Sequence, residues 1–87
     1  MTAMTAAEFE SAVDWTYYAA KSLSSCVGTE VVRESQMAQG ALDALMAAQL
    51  KRKNARLEAR RQSAVSYARG VLRRRGFQQP IVVLRNL

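Results

Sequence analysis

Apolar residues recur at intervals of three and four along most of this chain, the spacing that aligns side chains on one face of an α-helix. Phe9, Val13, Thr16, Ala20, Leu23 and Val27 form the first such stripe. Thr5 and Glu8 stand at its start in the T-x-x-E arrangement of a capping box, and Glu8 and Glu10 suit the positive end of a helix dipole. Gly28 occupies the place of a C′ glycine, so the pattern predicts a first helix over residues 5–27. A narrower row of Trp15, Ala19, Ser22 and Cys26 runs beside the main stripe.

A second helical pattern opens at Thr29, a candidate N-cap followed by Glu30. From Glu30 to Arg75 no proline interrupts a run rich in Ala, Leu, Met, Gln, Arg and Glu, all strong helix formers. Met46, Leu50, Leu57, Ala64, Ala68 and Val71 keep one phase across the charged stretch 51–56, whereas Val31, Ala38, Leu42 and Leu45 lie further round the same wheel. That drift predicts a break near Gly40 or around Lys51–Asn54, or else one continuous helix of about 69 Å. A compact domain of this size has a radius of gyration of only ~12 Å, so an unbroken helix would need a second copy of the chain to cover it. Met37, Leu42, Leu45 and Met46 are expected to fill the core of the hairpin. Gly76 and Phe77 fit the C′ and C″ positions of a Schellman-type stop. Beyond Pro80, the β-branched run Ile81 to Leu84 reads as an extended tail.

The expected architecture is therefore all-α, a helical hairpin or three-helix bundle in one domain over residues 1–87. Its parts are an acidic and apolar half (1–50), a long basic helix (51–76) and an extended tail (77–87), assembling as a homodimer or larger oligomer.

Charge turns this fold into a statement about partners. Residues 1–50 carry Lys21 and Arg33 against six acids, net −4, while residues 51–87 carry 11 basic residues against Glu58 alone, net +10. Arginine outnumbers lysine 10 to 3, and guanidinium forks suit bidentate contact with phosphate. The wheel places Arg52, Arg56, Arg69, Arg73 and Arg74 away from the Leu57/Ala64/Ala68/Val71 stripe. With Arg60 they make a candidate phosphate-backbone surface, and the leading expectation is a small regulatory protein that binds DNA or RNA. The alternative is a protein-interaction module, an adaptor, inhibitor or assembly subunit that meets an acidic protein surface. Trp15 and the tail residues Ile81 and Val83 are its candidate contacts.

Other chemistry finds little support. The chain has no histidine, and it lacks the G-x-S-x-G, H-E-x-x-H, C-x-x-C and Gly-rich phosphate-loop patterns. No enzymatic activity, cofactor or metal site is expected. Cys26, with no histidine to pair with, reads as a small buried hydrophobe. A lone cysteine also permits no internal disulfide, which points to a reducing cytoplasm. The longest apolar run, Ala44–Ala48, is far short of the ~20 residues of a membrane span. Peripheral binding to anionic membranes is disfavoured because the apolar stripe of residues 50–75 carries no Trp or Phe.

Overall fold

The computed structural model describes residues 3–77, which form three packed α-helices: α1 (Ala6–Ser25), α2 (Glu30–Ala47) and α3 (Ala55–Arg74). The tail residues Ile81 and Val83 lie outside the described residues. No helix among the described residues is long and apolar enough to cross a membrane.

α1 starts where its cap dictates. Glu8 N donates to Thr5 Oγ1 at 3.2 Å, and the Glu8 carboxylate accepts from Thr5 N at 2.9 Å and from Thr5 Oγ1 at 3.1 Å. These bonds, the backbone one first, hold the Glu8 carboxyl below its ordinary range, with the Lys51 charge adding to them. Because the native pKa is depressed, the cap's contribution is present above the unfolded pKa of Glu8 and is lost as pH falls through the native one.

The other end of α1 comes two residues earlier than the periodicity predicts. Ser24 Oγ donates to Lys21 O at 2.7 Å, and Ser25 Oγ reaches Lys21 O and Ser22 O. Hydroxyls that take up carbonyls of the last turn compete with continued helix. Cys26 is already extended, so Val27 leaves the stripe and is 76% exposed instead of buried. Gly28 still makes the turn, at φ +67°, a conformation that a side chain would strain. Thr29 occupies the N-cap position of α2 in a helical conformation and makes no side-chain cap bond. Val31 N donates instead to Gly28 O.

α2 passes through Gly40 without interruption, and the break falls at the other predicted place, after Ala48. Asn54 restarts the chain as α3: its backbone is extended and its Oδ1 accepts from Leu57 N at 3.1 Å. Arg52 is thus a loop residue and not a helical one. Between the helices the loop is clasped to the chain's start, since Met4 N donates to Gln49 O at 2.7 Å and Lys51 N to Met4 O at 2.8 Å. Of the two alternatives, the broken helix is the one formed, and the continuous helix that would need a second copy to cover it is not.

Packing follows an up-down-up course in which α1 and α3 run parallel and α2 antiparallel between their ends. Phe9, Val13, Leu45 and Leu57 cluster where α1 and α3 begin, and Ala20, Leu23, Leu42, Val71 and Leu72 cluster where they finish. Thr16, buried between them, donates its hydroxyl to Ala12 O and Ala41 O at 2.9 and 3.3 Å, so its burial leaves no polar atom unsatisfied. The buried row of α2 is Ser35, Ala38, Ala41, Leu42 and Leu45. Met37 and Met46 flank this row and are partly exposed at 38% and 47%, correcting their assignment to the hairpin core. α3 closes as its sequence predicts: Gly76 adopts φ +89°, Gly76 N donates to Arg73 O and Phe77 N to Leu72 O, the paired bonds of a Schellman motif.

Candidate nucleic-acid interface

The cations of residues 51–75 do not form one face. They divide into those tied into the bundle and those left outside it.

Arg61 is the most committed. Its Nη1 donates to Leu45 O, Met46 O and Ala48 O at 2.8, 3.2 and 2.9 Å, and its Nε and Nη2 form a fork on the Glu58 carboxylate at 3.2 and 2.8 Å. The guanidinium carbon also lies 4.8 Å from the centre of the Phe9 ring. α2 has no basic residue in its last turn, so α3 supplies the cation that its negative end favours. Arg75 does the same at the opposite end, where its Nη2 donates to Cys26 O, the C-cap residue of α1, which likewise lacks a basic last turn.

Arg56 and Arg60 face α1. Arg60 reaches Glu10 at 3.3 Å and Asp14 at 3.1 Å, and Arg56 approaches Glu10 at 3.6 Å. Pairs this exposed contribute about 0.2–1 kcal/mol each, so they register α3 against α1 more than they hold it there. Arg56 remains 68% exposed and shares its acid with Arg60.

Arg52, Arg69, Arg73 and Arg74 are exposed, as are Lys51 and Lys53. None of these six makes an ion pair among the described residues. Arg69 Nη2 lies 3.5 Å from the Met46 sulfur, a weak acceptor. Lys51, Arg52 and Lys53 line a cleft of about 410 Å³ with Thr5, Ala6 and Asn54, between the starting turns of α1 and α3. The acid closest in sequence to that cleft's α1 wall, Glu8, is turned back onto Thr5 by the capping box.

Between the two groups of exposed cations, the outer face of α3 presents Ala59, Gln62, Ser63 and Ser66. Tyr67 is turned inward, its ring 5.4 Å from that of Tyr17. The exposed aromatics lie elsewhere: Trp15, 47% exposed, stacks on Tyr18 at 5.4 Å. Trp15 also walls a shallow groove of about 310 Å³ over α1 and α2, floored by Ala12, Gly40, Ala41 and Ala44.

Of the six arginines singled out from sequence, the structure leaves four exposed without an acid partner among the described residues and brings Arg56 and Arg60 onto α1. Lys51 and Lys53 were not singled out, although the break that exposes them was one of the two predicted. Arg61 carried a readable signal of its bundle role: it follows Leu57 by four residues and precedes Ala64 by three, inside the apolar stripe. No family model, curated protein or solved structure matches the chain.

Proposed function

We propose that the chain is a small non-enzymatic nucleic-acid-binding protein that holds phosphate backbones with Lys51, Arg52, Lys53, Arg69, Arg73 and Arg74. One observation carries this reading: Arg61 and Arg75 are committed to carbonyls and Arg60 to two acids, one of them shared with Arg56, yet these six cations stay exposed and make no ion pair among the described residues. Six such contacts predict a steep salt dependence, with affinity falling about 10³-fold between 50 and 200 mM salt. Fluorescence anisotropy with labelled DNA and RNA provides the test. A charge-reversed loop (K51E/R52E/K53E) or helix end (R73E/R74E) should each weaken binding by roughly tenfold or more. Reversing Arg73 and Arg74 also puts two acids in the last turn of α3, at about 0.3–1 kcal/mol each, so helical circular dichroism accompanies each titration to show that the variant is folded. Wild type that leaves every labelled strand unshifted at low salt would sink the proposal.

The exposed Trp15–Tyr18 stack favours a second reading, self-association through the α1–α2 face. α2 carries Glu30, Glu34 and Asp43 against Arg33, so a second copy can offer complementary charge from its α3. Light scattering at tens of micromolar, roughly where weak dimers begin to form, should then give at least twice 9.7 kDa. Trp15→Ala should return the monomer. A wild-type monomer at that concentration removes this reading.

A further inference from the structure

Five of these six cations sit at the two ends of α3, and Arg69 stands about one turn before the last pair. Lys51, Arg52 and Lys53 precede its first turn, and Arg73 and Arg74 close its last. Twenty helical residues at 1.5 Å each put the two groups about 30 Å apart. The spacing is rigid, because α3 is capped at one end by Asn54 and stopped at the other by the Gly76–Phe77 motif, and it packs on both other helices between them.

A rigid spacing discriminates between polyanions. Phosphates on a double helix recur at fixed positions, with one turn of B-form DNA spanning about 34–36 Å. The two cation groups therefore match backbone positions about nine base pairs apart, close to one turn. A single strand has no fixed spacing to match, and proteins that hold single strands stack bases on aromatic platforms. The outer face of α3 offers none: Ala59, Gln62, Ser63 and Ser66 are small or short hydrogen-bonding groups, and Tyr67 is turned onto Tyr17.

We infer that the ligand is double-helical DNA lying along α3, gripped at two points about one turn apart by the Lys51–Lys53 loop and by Arg73 and Arg74. This inference rests on the phosphate-binding reading and goes beyond it by naming the form of the ligand. The experiment is a length series with the full chain at one low salt concentration, using labelled duplexes of about 6, 9, 12 and 18 base pairs and single strands of the same lengths. Affinity should rise roughly tenfold or more between the 6- and 12-base-pair duplexes, as the second grip engages, and then level off. Single strands should bind roughly tenfold more weakly than duplexes of equal length. R73E/R74E should abolish the gain with length and leave the weak binding of the shortest duplex. Affinity that is flat with length, or equal for single and double strands, overturns the inference while leaving phosphate binding intact. Absence of binding to both forms overturns the phosphate-binding reading, and this inference with it.

Discussion

Replacing Phe9 with alanine is expected to remove about 3–5 kcal/mol of stability, a large part of the roughly 4–13 kcal/mol that an 87-residue chain possesses. The ring is fully buried and is the largest side chain in the cluster that joins the start of α1 to Leu45 of α2 and Leu57 of α3. The loss has two sources. Apolar transfer and the cavity act on all three helices at once, because each contributes a wall to the site. Arg61 also loses the ring face over which its guanidinium sits. Urea unfolding followed by helical circular dichroism measures the effect. Phe9→Leu, which keeps apolar volume but not the ring face, should recover more than half of it. A loss below about 1 kcal/mol for the alanine variant would show that Phe9 is not seated in this core.

The second large effect is expected at a charged residue. Arg61→Ala should cost about 2–4 kcal/mol, since it strips the last carbonyls of α2 of their donor and leaves Glu58 without its fork. At ~4–8 °C per kcal/mol for a chain of this size, the melting temperature should fall by at least about 8 °C. Arg61→Lys keeps the charge but cannot reach three carbonyls and a carboxylate with one ammonium, so it should restore less than half of the loss. Arg52→Ala, a loop cation with no intramolecular partner among the described residues, should stay within about 0.5 kcal/mol of wild type. Equal destabilisation by the two alanine variants would remove the distinction between bundle arginines and surface ones.

That distinction marks where sequence reading stopped. The α1 stripe from Phe9 to Leu23, the Thr5–Glu8 box and the Gly76–Phe77 stop follow from local chemistry and appear as expected. The drift in phase between Leu42 and Leu57 correctly signalled a break, because two helices that each face the core need not share one wheel. Its position was less legible. Gly40 and Lys51–Asn54 both weaken a helix, and the Asn54 cap on Leu57 N, the Met4 clasp and Arg61 on the last carbonyls of α2 together fix the break at the second. Val27, Met37 and Met46 failed because periodicity counts positions but not where a helix ends or which neighbour covers it. The arginines were least legible of all: one residue type caps α2 at Arg61, bonds to α1 at Arg60 and faces water at Arg73, according to partners that lie up to 50 residues away in sequence.

Those distances also set an order of events. The α1–α2 hairpin forms across one short turn, as does α2–α3 across the clasped loop, whereas the parallel seam of α1 with α3 must close about 50 residues of chain before Arg60 can meet Glu10. The seam is thus expected to zip after the antiparallel pairs, and its ion pairs should be largely unformed at the folding barrier. Their loss would then show in the rate at which the native bundle opens, and hardly in the rate at which it forms. At about 0.2–1 kcal/mol each, these pairs would slow opening by only about 1.4- to 5-fold per pair, a modest kinetic role separate from whatever the outward-facing cations hold.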